Sequence, residues 1–141
     1  MKRRYVGCWI VLVFLFAGFS KAFAADDDFA AQAKPFRLVR AAMCESIEGY
    51  EPKHVAAAFS INVGRISCYS AFAGVAQTTF VQHKWFRRDE LVTAKRLTLK
   101  PPSWATYSSV QLRDDDKGPW RVEILDAEDE LIQTLRFSVV D

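Results

Sequence analysis

Seven stretches of this chain alternate apolar and polar residues with a period of two, and turn-forming residues separate them. No other feature constrains the fold as tightly. Strand side chains point alternately to two faces, so each stretch can line one buried face of a sheet. The first covers residues 36–47, with Val39, Ala41, Met43 and Ile47 on one face, and Gly49-Tyr50-Glu51-Pro52 breaks it. Residues 65–72 follow, with Ile66, Cys68 and Phe72 in phase and Gly74 as the stop. Residues 78–86 put Val81, His83 and Trp85 on one face and Phe80 and Phe86 on the other. Arg87-Arg88-Asp89-Glu90 then reads as a hairpin turn into 91–99, which Pro101-Pro102 ends. Residues 104–112, 120–125 and 131–140 complete the set, separated by the polar runs at 114–119 and 128–130. A short helical period near 55–59 is the one departure, and there is no internal repeat. Seven short strands at near-regular spacing predict an all-β, immunoglobulin-like antiparallel β-sandwich, with a small β-barrel as the alternative.

The first 24 residues read as an address. Lys2, Arg3 and Arg4 precede an uncharged apolar run over 6–19, and Ala22-Phe23-Ala24 supplies the small residues a signal peptidase admits. The expected cut lies between Ala24 and Ala25. The apolar run is about fourteen residues, at about 1.5 Å each too short for a bilayer core. This favours a cleaved leader, export to the periplasm or beyond a bacterial cell, and no permanent membrane span in the mature chain. The alternative is an uncleaved leader anchored in the inner membrane. Cys8 opens the apolar run instead of following it, so it does not fit a lipidation site, and Arg3-Arg4 lacks the surroundings of a twin-arginine signal. The expected organisation is a signal peptide over 1–24, a flexible acidic lead-in over 25–35 containing Asp26, Asp27 and Asp28, and one domain over 36–141.

Removing 1–24 takes away four basic residues and no acids. The net charge of the whole chain, +2, falls to −2, with fifteen basic residues facing seventeen acidic ones. Such a chain gives no electrostatic reason to expect nucleic acid as a partner. Two cysteines survive the cut, Cys44 and Cys68, and an even count in an exported chain predicts one disulfide. Its loop of about 25 residues would contribute about 3–4 kcal/mol in the chain-entropy view. The alternative is two buried thiols. No C-x-x-C spacing supports a metal pair.

Few residues carry candidate chemistry. His83 lies in a strand phase, where a packed, hydrogen-bonded role is expected, and His54 lies in a polar loop. No nucleophile motif such as G-x-S-x-G accompanies either histidine. Asp114-Asp115-Asp116 does not match a calcium loop and reads as solvated. The aromatics stand out: Trp85 and Trp120 fall in apolar phases and are expected in the core. Trp104 and Tyr107 fall on opposite faces of one strand, with Tyr107 the better surface candidate for a ligand contact. The first strand is a candidate sheet edge, where Arg37 and Arg40 would guard against strand addition.

Several segments together resemble the bacterial family called domain of unknown function 2914, over about residues 37–140. They are Arg40-Ala41-Ala42-Met43-Cys44 with Glu51-Pro52; Val63-Gly64-Arg65-Ile66-Ser67-Cys68-Tyr69; His83-Lys84-Trp85-Phe86 before Leu91-Val92; Trp104-Ala105-Thr106-Tyr107-Ser108-Ser109; and Gly118-Pro119-Trp120-Arg121-Val122-Glu123-Ile124 with Asp126 and Leu131. Glu130 stands where such domains often carry Gly. The resemblance implies a small β domain, exported or attached to membrane segments, with no established activity. It supplies no catalytic, metal or cofactor residues. The expected function is therefore binding without catalysis or cofactor: an interaction module for another protein of the envelope, or a carbohydrate-binding module that uses Trp104 and Tyr107 on a glycan. A hydrolase with a site invisible as a motif is the remaining reading.

Overall fold

The computed structural model describes residues 34–141. The leader, its cut at Ala24 and Ala25, and nearly all of the lead-in lie outside them. The seven expected strands form, as β1 (Arg37–Glu48), β4 (Arg65–Ala73), β5 (Thr79–Arg87), β6 (Glu90–Leu99), β7 (Ser103–Gln111), β8 (Gly118–Leu125) and β9 (Leu131–Val140). Two short strands, β2 (Glu51–Val55) and β3 (Ala58–Ser60), replace the expected turn and helical period. Tertiary pairing overrides local pattern there. β2 folds back on β1, and β3 lies beside β9 with Phe59 opposite Val139. That last pairing is parallel, so the sandwich is not wholly antiparallel. Pro52 is tolerated because β2 is an edge strand and needs to donate on one side only.

Two sheets pack face to face. One runs β2-β1-β4-β7 and the other β3-β9-β8-β5-β6, with no closed barrel. β2 pairs with β1 only from Cys44 to Glu48, so the second half of β1 is interior while its first half, from Arg37, keeps the expected open edge. Arg40 stands on that open half and pairs with Glu51 of β2, Nη1 to Oε2 at 2.9 Å.

The core lies mostly where the alternation put it, except that a bulge in β1 between Leu38 and Arg40 turns Val39 out to solvent and Leu131 stays exposed at the start of β9. Ile66, Cys68 and Phe72 from β4 meet Val81 and Trp85 from β5, Trp120, Val122 and Ile124 from β8, and Phe137 and Val139 from β9. Phe137 is the aromatic hub: Trp120 stacks on it with centroids 5.9 Å apart, and Trp85 and Phe59 meet it edge-on at 6.1 and 6.0 Å. Truncating such a residue costs about 3–5 kcal/mol.

Turn chemistry agrees with this layout. Arg88 and Asp89 both take positive φ between the paired Arg87 and Glu90, the twist a two-residue hairpin needs. Asp126 caps the last turn, its Oδ1 accepting from the backbone N–H of Glu128 and of Glu130. The left-handed residue in that turn is Asp129, so Glu130 needs no glycine-like backbone.

The expected Cys44–Cys68 disulfide is absent; both cysteines are buried free thiols. The register explains it. Cys44 lies opposite Ser67 and Cys68 opposite Met43, one step out of phase on neighbouring strands. Their side chains leave opposite faces of the sheet, and thiols pointing apart cannot bond without moving the backbone. Cys68 belongs to the core, while Cys44 turns to the outer face and donates weakly to the Ser67 carbonyl at 3.6 Å. Burial pushes both thiols above their ordinary range and keeps them protonated and inert. Iodoacetamide should therefore leave Cys44 and Cys68 unmodified in the folded protein and alkylate both after denaturation without reductant. Peptide mass mapping would read this, and a Cys44–Cys68 cross-linked peptide would contradict it.

Candidate functional site

β7 is the edge strand of the four-stranded sheet, and its outer face is where large side chains stay in contact with solvent. Tyr107 is 51% exposed and lies opposite Tyr69 of β4. Trp104, near the start of the same edge strand, is 38% exposed, with the Lys100 ammonium 5.5 Å from its ring centroid. Tyr50 is 84% exposed, lifted by the two-residue hairpin in which Gly49 and Tyr50 both take positive φ. These four rings, with Ile47, Ala105 and Thr106, line one shallow groove of about 200 Å³. Trp104 and Tyr107 thus meet in one groove although alternation sends them to opposite faces. Trp104 sits where the edge strand begins, and among the described residues no strand pairs beyond β7.

The groove has a polar side. Arg40 reaches over the Tyr69 ring, 5.9 Å from its centroid, while pairing with Glu51. Burial, with Glu51 nearby, pushes the Tyr69 phenol above its ordinary range and holds it as a hydroxyl. Along the same face, Ser67 and Ser109 share a hydrogen bond of 2.7 Å. Tyr50 and Tyr69 were not singled out by the sequence. They reach the site through the hairpin and the β4–β7 register, which a single strand's alternation does not encode.

His83 takes the buried structural role expected of it. Its Nε2 lies 3.0 Å from Ser70 Oγ and its Nδ1 2.8 Å from Ser108 Oγ; Ser108 also accepts from Trp85 Nε1 at 3.0 Å. Ser70, His83 and Trp85 are fully buried and Ser108 nearly so. A serine on each ring nitrogen resembles a nucleophile–base pair in distance, yet no open path brings a substrate to it. Among the described residues no carboxylate touches the ring, and desolvation pulls its pKa down to about 4. His54 is an exposed partner of Glu45 at 3.3 Å. Asp114–Asp116 forms a 3₁₀ turn in which Asp116 accepts from Arg87 and from the Arg113 backbone N–H. Among the described residues, no three His, Cys, Asp or Glu side chains converge to hold a metal ion, and no helix is long and apolar enough to cross a membrane.

Residues 78–139 match a family model described as "Protein of unknown function (DUF2914)". The match takes in the last three of the resembling segments and stops short of the first two. No curated protein matches the sequence. Among solved structures, a beta-glucosidase from Listeria innocua aligns with TM-score 0.45 and 9% identity, over 74% of this chain and 16% of that one. A Beta-D-glucoside glucohydrolase from Trichoderma reesei aligns with TM-score 0.41 and 13% identity, over 74% and 19%. The chain spans less than a fifth of either glucosidase, and likeness at this level bears on neither ligand nor activity.

The buried imidazole makes stability depend on pH. An unfolded chain takes up a proton at His83 near pH 6.5, but the folded chain does so only near pH 4. The stabilisation is complete above the unfolded value and fades as pH falls between the two. By pH 4.5 the loss should reach about 2–3 kcal/mol. Urea denaturation at pH 7.5 and 4.5 would measure it, and a His83→Gln variant should lack this part of the slope.

Proposed function

We propose that this chain, which matches the DUF2914 family of unknown function over residues 78–139, is a non-catalytic binding module of the bacterial envelope that holds a carbohydrate chain on the aromatic groove. One observation carries this reading: Trp104 and Tyr107 stand exposed in a single shallow groove with Tyr50 and Tyr69. Sugar rings present flat C–H faces that stack on aromatic faces, and hydroxyl edges that seek polar groups beside them. Here the rings are flanked by the Arg40–Glu51 pair and the Ser67–Ser109 hydroxyls. Export by the N-terminal leader would place the module where cell-surface glycans are found.

A second reading keeps the groove and changes its occupant. Tyr, Trp and Arg are the residues that dominate protein–protein hot spots, and Tyr107, Trp104 and Arg40 cluster here. Another envelope protein would then dock on the same face.

Affinity electrophoresis through gels holding soluble polysaccharides would separate the two. The protein should be retarded by at least one polysaccharide, and Tyr107→Ala should weaken retention about tenfold, corresponding to about 1.4 kcal/mol. Leu91→Ala, on the far edge strand, should leave it unchanged. No retention by any polysaccharide, with Tyr107-dependent capture of one envelope protein, would replace the carbohydrate reading with the second.

A further inference from the structure

Beyond the aromatic groove, the same outer face runs into a second, larger cleft. Tyr107, Ser109 and Gln111 alternate along one face of β7, and Tyr69, Ser67 and Arg65 stand opposite them on β4. Successive members of each row are spaced by about 7 Å, two residues of a strand. The strip therefore passes from rings, through a hydroxyl pair, to an amide and a guanidinium. Where it ends, a cleft of about 580 Å³ opens between edge strands β6 and β7.

Four cations line that cleft: Arg65, Arg87, Lys95 and Arg113. Its one carboxylate is Asp116, already committed to Arg87 and to the Arg113 backbone N–H. Arg65, Lys95 and the Arg113 guanidinium form no ion pair among the described residues. Asp114 and Asp115, in the same turn as Asp116, are exposed and do not line it. The charge is local. Residues 34–141 hold fifteen basic and fourteen acidic side chains, close to balance, yet here four cations meet one acid. Gathering like charges weakens a fold, so such a cluster points to a ligand that neutralises it. Guanidinium forks match the planar oxygens of carboxylate, sulfate and phosphate groups.

We propose that the cleft is the anionic subsite of the binding strip, and that the ligand is an acidic polysaccharide whose sugar rings lie on the groove while its charged groups reach Arg65, Lys95 and Arg113. The proposal rests on the carbohydrate reading above. Ser109 lines the cleft and also bonds Ser67 beside the groove, which makes the two sites continuous. An acidic protein segment would satisfy the cleft but has no need of the adjoining rings.

Calorimetry on the purified protein would test this with polygalacturonate oligomers, their methyl esters and poly-aspartate. The acid oligomer should bind at least tenfold more tightly than its ester at low salt, and 0.5 M NaCl should erase that advantage. The triple variant Arg65→Gln, Lys95→Gln, Arg113→Gln should also erase it while leaving ester binding unchanged. Tyr107→Ala should weaken acid and ester alike. Arg136→Gln, outside the cleft, controls for net charge. Equal binding of acid and ester, unaffected by the triple variant, would overturn the anionic subsite and leave the carbohydrate reading standing. Poly-aspartate binding that depends on the triple site, with neither sugar bound, would overturn both and assign the cleft to an acidic protein. No binding by any probe would also overturn both.

Discussion

Two sheets held only by apolar contact are free to slide, because hydrophobic attraction has no direction. In this domain a buried polar bridge removes that freedom. His83 on β5 joins Ser70 on β4 and Ser108 on β7, and Trp85 reaches the same Ser108. Each bond crosses from one sheet to the other. A buried imidazole is costly unless its nitrogens are satisfied, and here no buried side-chain polar atom among the described residues lacks a partner. Since β7 has a neighbouring strand on one side only, Ser108 is its directional tie to the opposite sheet. The outer face of β7 carries Tyr107, Ser109 and Gln111, so the position of that row of side chains depends on buried hydroxyls on the inner side of the sheet.

The aromatic residues divide along the same line. Trp85 and Trp120 converge on Phe137 between the sheets, where burial of apolar area stabilises the fold. Trp104 and Tyr107 lie on the one strand that is both an edge and a carrier of the strip. Rings of similar chemistry thus serve core or surface according to strand position. Charge is distributed unevenly too: acids fill turns such as 114–116 and 126–130, while three cations that form no ion pair among the described residues, Arg65, Lys95 and Arg113, meet at one cleft.

Alternation made the seven long strands legible because each has one buried face with a period of two. β2 and β3 escaped it. They are short, with one buried residue each; β2 is held by its hairpin partner β1, and β3 by β9, distant in the chain. The cysteine count suggested a bond that the register forbids; parity between neighbouring strands is set by pairing, not by composition. Trp104 and Tyr107 could be singled out from sequence because large aromatics on a strand face demand an explanation. Tyr50 depended on a hairpin and Tyr69 on a cross-strand partner. The cationic cleft was invisible for a stronger reason: Arg65, Arg87, Lys95 and Arg113 come from four separate segments, and only the packing of two sheet edges brings them together.

The parallel contact of β3 with β9 carries a kinetic consequence. β9 is the last strand, yet it sits inside its sheet, between β3 and β8. Phe137, on that strand, is the ring on which Trp85, Trp120 and Phe59 all converge. Until residues 131–140 have been synthesised, the preceding strands hold apolar faces with nothing to close them. Closing such distant pairings is slow compared with local folding. Strands β1 to β8 therefore stay open and adhesive until residues 131–140 are available to close the sheet.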